Sequence, residues 1–104
     1  MLITTTDNIP GEEYEIIGLA TGCNILSKNF VRDIGSGLRN MVGGQMKAYT
    51  EMLDESQKMA TDLLIEDAKN KGADAIVGVR FTTSSITQGG AEIFAYGTAV
   101  KIKK

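Results

Sequence analysis

From Tyr49 to Ala68 the apolar residues recur at the spacing of one helix face. The pattern runs straight into Gly72-Ala73-Asp74-Ala75-Ile76-Val77-Gly78-Val79-Arg80-Phe81, a helix stop followed by a strand. Tyr49, Met52, Leu53, Met59, Ala60, Leu63, Leu64 and Ala68 follow the i, i+3, i+4, i+7 rule, broken only by Ser56 on the same stripe. Glu51, Asp54, Glu55, Lys58, Asp62, Glu66 and Lys69 line the opposite side. Lys69 and Lys71 stand where the helix dipole favours cations, and Gly72 is the expected left-handed residue past the helix end. A helix this one-sided needs a second layer to pack on, and the flanking segments read as strands.

Met1 to Thr6 is β-branched and predicts a strand. Asp7-Asn8-Ile9-Pro10-Gly11 offers turn residues in turn order. Glu13 to about Gly22 predicts the second strand, Ala75 to Ser84 the third, and Glu92 to Lys103 its antiparallel partner, with Gln88-Gly89-Gly90 as the turn. Between Asn24 and Ala48, Phe30, Val31, Ile34, Leu38, Met41 and Val42 recur at helical spacing. Gly35-Ser36-Gly37 and Gly43-Gly44 interrupt that pattern, each interior glycine costing about 1 kcal/mol in a helix. A helix–loop–helix connection is expected there. The order β-β-α-β-β is α+β: a four-stranded, mainly antiparallel sheet, one long helix packed on it, and short helical turns before the helix. With no internal repeat or interdomain linker, residues 1–104 are expected to form a single domain.

One helix covers one face of such a sheet. Yet the second strand is apolar on both sides, with Tyr14, Ile16, Gly18 and Ala20 on one and Ile17 and Leu19 among the residues of the other. The fourth strand sets Phe94, Tyr96, Val100 and Ile102 against Ile93, Ala95, Gly97 and Ala99. An uncovered face of that kind exceeds what monomers usually expose, so self-association is expected. Gly78, Ala95, Gly97 and Ala99 are expected to let a second layer approach closely. The alternative is that the Asn24–Ala48 segment folds over that face and completes a monomer.

The chemistry available to one copy is narrow. With no His and a single Cys, the chain cannot assemble most nucleophilic or zinc-type constellations. Cys23 has Lys28 and Arg32 nearby in sequence, but neither supplies a base, and the residue reads more simply as a small one ending the second strand. Met41, Met46, Met52 and Met59 suit a soft metal in type, although helical spacing places them in the core. One Cys per chain becomes several sulfurs if copies converge on an axis. Gly35-Ser36-Gly37 lacks the third glycine of a dinucleotide loop, and Gly43-Gly44-Gln45 is not followed by the Lys-Ser or Lys-Thr of a phosphate loop. Asp54-Glu55 and Glu66-Asp67 read as solubilising carboxylates. A net charge of −2 gives no basic face for nucleic acid or anionic membranes. The N-terminal stretch has no secretory pattern, and with one Cys a cytoplasmic location is expected.

Asp33-Ile34 followed by Gly43-Gly44, the Tyr49 aromatic opening the helix, Gly18-Leu19-Ala20-Thr21-Gly22 and the run from Ala68 through Gly72 to Arg80 together resemble the YbjQ-like family of small bacterial proteins. The resemblance implies a dodecin-like α+β subunit assembled into a ring, most simply a homopentamer, and it brings a heavy-metal-binding label. Metal-carrying domains of similar layout use paired cysteines, and Cys23 has no second cysteine to pair with. The helix also reads Glu55-Ser56-Gln57 where the family suggests an Ala-Arg pair.

These readings converge on a non-catalytic homo-oligomer that binds a heavy-metal ion or another small ligand, with Cys23 and the segment from Gly35 to Gly44 as contributors. One alternative is a structural ring that binds partners and no ligand. Another is an enzyme assembled between subunits from Asp33, Arg39 and Tyr49, which are also the candidate ligand-binding residues.

Overall fold

The computed structural model describes residues 1–26, 43–85 and 91–103. Along the chain they form β1 (Leu2–Ile3), β2 (Tyr14–Leu26), α1 (Gly43–Asn70), β3 (Ala75–Ser85) and β4 (Ala91–Ile102). The four strands make one sheet in the order β1-β3-β4-β2. The α+β class and the element order agree with the sequence reading. The strand pairing does not: the sheet is mixed, because β1 runs parallel to β3, with Leu2 opposite Ala75 and Ile3 opposite Ile76. Only the β2–β4 and β3–β4 pairs are antiparallel. Two strands separated by a whole strand and a helix can enter the sheet from the same end, which neighbours joined by a tight turn cannot do.

The first strand is also shorter than its β-branched composition predicts. After Ile3 the chain bends around a bulge in β3. Thr4 N–H donates to the Ile76 carbonyl and Val79 N–H donates to the Thr4 carbonyl, both at 3.0 Å, while Gly78 N–H reaches the Thr6 carbonyl at 2.7 Å. Gly78 holds φ at +62° where the β3–β4 register shifts between Val77 and Arg80. The Thr4 hydroxyl accepts from Thr6 N–H and the Thr6 hydroxyl donates to the Asn8 carbonyl, local bonds that compete with a strand ladder. Ile9-Pro10-Gly11-Glu12 then closes a type II turn, with Glu12 N–H on the Ile9 carbonyl and Gly11 at φ +80°.

The helix begins at Gly43, six residues ahead of Tyr49, so the glycine pair sits in its first turn and does not interrupt it. The segment from Asn24 to Ala48, expected as helix–loop–helix, lies largely outside the described residues, as does the Gln88–Gly90 turn. At the other end the expected cap is present in full. Ala73 N–H bonds the Ala68 carbonyl and Gly72 N–H bonds the Lys69 carbonyl, with Gly72 at φ +84°. That is a Schellman motif.

The main core lies between α1 and the sheet: Ala20, Ala60, Leu64, Ala68, Ile76, Val79, Ile93, Ala95 and Ala99, flanked by Ile3, Ile17, Ile65 and Ala73. The helix leans chiefly over β2. Its buried row is Ser56, Ala60, Leu64 and Ala68, a single i, i+4 line. Small residues make the contact close. A Cβ on Gly22 would collide with the Ala60 carbonyl oxygen and the Leu64 amide nitrogen. Ser56, which interrupts the apolar stripe in sequence, accepts a hydrogen bond from the Asn24 amide on β2. The narrow seam leaves Met52 and Met59 45% and 49% exposed, so neither is the core residue their spacing predicts. Ala95 and Ala99 face the helix, and Gly97 is packed under the Ile76 and Val79 side chains. The small residues therefore serve packing within the chain, contrary to the expectation that they admit a second layer. A smaller cluster, Ala75, Val77 and Val100, lies on the opposite face under Ile9, Tyr14 and Ile102, where the Tyr14 hydroxyl donates to the Asp7 carbonyl.

Candidate functional site: the outer face of the sheet

Among the described residues, only the small cluster under Ile9 and Tyr14 is covered on the face turned away from α1. Strand register sets its side chains in rows, because residues opposite one another project to the same side. Leu19 lies opposite Thr98, and Thr98 opposite Val77; the next row is Thr21, Tyr96 and Arg80. Cys23, Phe94 and Thr82 follow, and then Ile25 and Glu92. Ile16, Leu19 and Ile25 stand 71%, 61% and 66% exposed along β2, and Tyr96 is exposed beside them. The Phe94 and Tyr96 rings meet at 6.0 Å between centroids, tilted by 40°.

Cys23 lies on this surface, on the edge strand β2 opposite Phe94. Its half-buried thiol donates to Glu92 Oε2 at 3.4 Å, a diagonal contact from β2 to β4. Burial pushes the thiol pKa up, and the hydrogen bond to Glu92 and the carboxylate charge push it further. Arg80 shares the face but gives its guanidinium to backbone carbonyls, those of Thr5 at 2.8 Å and Val79 at 2.9 Å. Cys23 is held as a thiol, the opposite of an activated nucleophile.

The other candidate residues cannot be joined to it. Asp33 and Arg39 lie outside the described residues, as do Lys28 and Arg32 beside Cys23 in sequence. Tyr49 belongs to α1, but its side chain lies outside the described set. Of the segment from Gly35 to Gly44, only the glycine pair at the helix start is described.

A polar node that the sequence reading passed over lies on the edge of β2. Asp67, grouped above with solubilising carboxylates, accepts from Thr21 N–H and from Lys71 Nζ, each at 3.0 Å. Lys71 also donates to the Leu19 carbonyl at 2.8 Å. These bonds to Thr21 N–H and Lys71 hold the Asp67 carboxyl below its ordinary range. The i, i+4 spacing of Asp67 and Lys71 is visible in sequence; that both reach the neighbouring strand is not.

The family model described as "Putative heavy-metal-binding", YbjQ, matches residues 1–103. The chain belongs to the YbjQ family. Its relatives include UPF0145 proteins from Psychromonas ingrahamii, 51% identical over all of both chains, and from Clostridium novyi, 50% identical over 98% of this chain and 99% of the relative. One from Vibrio parahaemolyticus is 52% identical over 98% of each. A crystal structure of a DUF74-family protein of unknown function from Pediococcus pentosaceus superposes with a TM-score of 0.59, covering 99% of this chain and 98% of that one. At 22% identity it supports a shared fold alone.

The YbjQ description names a heavy metal, and the donor set of one chain does not fit it. Soft ions are held by several thiolates or imidazoles. Here the sequence holds one Cys and no His. Among the described residues no three of the His, Cys, Asp and Glu side chains gather in one place. No described helix is long and apolar enough to cross a membrane.

Proposed function

We propose that this chain is a non-catalytic, homo-oligomeric binding protein whose copies cover one another's outer sheet face. The assembly is a five-membered ring, as the family resemblance implies, and it works in the cytoplasm. The ligand, a heavy-metal ion or another small molecule, is bound between copies. The observation that carries this reading is the exposure of Ile16, Leu19 and Ile25 in line on β2, next to Tyr96. Burying apolar surface contributes about 25 cal/mol per Å², and an oligomer is the simplest way to recover it from a face this open.

Native mass spectrometry of the untagged protein, purified without added metal, tests the reading. A five-fold mass is expected, with extra mass naming a ligand. Leu19→Asp with Ile25→Asp is expected to shift the population to smaller species while the fold persists. A native monomer would overturn the proposal. A ring that binds partners and no ligand is the second reading. It is favoured by the hydrogen bond between Cys23 and Glu92, which satisfies the thiol inside the chain.

A further inference from the structure

We infer that Cys23 is a structural hydrogen-bond donor tying β2 to β4 across the outer face, and that the ligand proposed for this face is not a thiophilic metal ion. The inference rests on the homo-oligomeric binding reading and narrows the class of ligand within it.

The geometry comes first. Cys23 pairs directly with Phe94, and its thiol leans two residues along β4 to Glu92 Oε2. A thiol that donates a hydrogen bond carries its proton, and a metal must displace that proton to bind sulfur. The surroundings oppose the displacement. On β4 the thiol faces a carboxylate and the Phe94 and Tyr96 rings; on β2 it lies between Thr21 and Ile25. The cation that β3 contributes to this face, Arg80, is engaged by the Thr5 and Val79 carbonyls. Local burial and the Glu92 charge both favour the neutral thiol.

Assembly does not rescue the site. Every copy that brings a Cys23 thiol brings its Glu92 as well, so the ratio of sulfur to hard oxygen stays fixed in any symmetric ring. No imidazole is available from any copy, because the sequence contains no His. Soft ions rank carboxylate oxygen well below thiolate sulfur. The surface that remains sets Ile16, Leu19, Ile25 and the Phe94 and Tyr96 rings among the hydroxyls of Thr21, Thr82 and Thr98. It suits an uncharged or weakly polar organic ligand.

Cadmium titration of the reduced, full-length assembly decides the matter, followed by the ultraviolet band of a cadmium–thiolate bond and by equilibrium dialysis. No such band is expected near neutral pH, and Cys23→Ser is expected to retain as much cadmium as the unaltered protein. A band that saturates at a fixed ratio and vanishes in Cys23→Ser would overturn the inference. Thiolate absorbance against pH gives the second readout. Its midpoint is expected above that of a free thiol and to fall in Glu92→Gln, giving more thiolate at a given pH. An unchanged midpoint in Glu92→Gln would overturn the role given to the pair. The native mass of the same samples keeps the two proposals apart, since a monomer would end the ring reading and leave the cadmium result standing.

Discussion

On the side facing α1 the sheet presents Ala20, Gly22, Ile76, Ile93, Ala95 and Ala99, and none of them is exposed. On the other side, the same strands present Ile16, Leu19 and Ile25, all largely open to solvent. These inner residues are apolar throughout, with alanine and glycine where the helix comes closest, whereas the outer face mixes large apolar side chains with Thr21, Thr82, Thr98, Arg80 and Glu92. Alanine and glycine on the inner face let the helix backbone settle directly on β2, and the larger residues on the outer face would hold such a neighbour away. A close-packed interior is sensitive to single methyl groups in a way that an open face is not.

Leu64 and Leu19 give the sharpest way to break that comparison. Leu64 is fully buried between α1 and the sheet. Leu64→Ala is expected to lower stability by about 3 kcal/mol at any protein concentration, measured by urea unfolding. Under the proposed assembly, Leu19→Ala is expected to change unfolding only as concentration rises. Equal, concentration-independent losses would mean that the outer face is closed within the chain.

Gly22 tests the smallness of the inner face. An added methyl would meet the helix backbone at Ala60 and Leu64, which can yield only by moving the helix. Gly22→Ala is expected to cost about 2 kcal/mol, although alanine is ordinarily the better strand residue. A neutral result would show that α1 does not lie where its packing is described.

The smallest effect concerns Asp67, which fastens the helix end to the edge of β2. Its carboxyl is held below the ordinary range, so its contribution is fully present above the unfolded pKa and fades as pH falls through the lower folded value. Asp67→Asn is expected to lose about 1 kcal/mol at neutral pH, modest because the ion pair is partly exposed. The gap between the two proteins should close in acid. A gap that persists below the folded pKa would mean that Asp67 acts through packing.

Local rules made parts of the fold legible. The 3.6-residue period announced α1, and Gly72 after Lys69 and Lys71 announced its end, down to the Schellman bonds. Pro10-Gly11 announced the turn that Glu12 closes. Each of these depends on neighbours within a few residues. Cys23 was visible as the lone thiol, but its partner is 69 residues away, so the sequence could not show what opposes it. Asp67 was misjudged for the same reason, its Thr21 partner lying 46 residues back.

By itself, then, the sequence determined the element types and their order, the helix cap, and the poverty of metal-ligating chemistry in one chain, since composition and short-range periodicity are properties of the chain alone. Only the tertiary structure decided that β1 pairs in parallel with β3, that Gly22 admits the helix, and that the small residues of β4 face inward. Those outcomes turn on which distant segments meet and how closely their backbones approach, and sterics of that kind exist only once the layers are stacked.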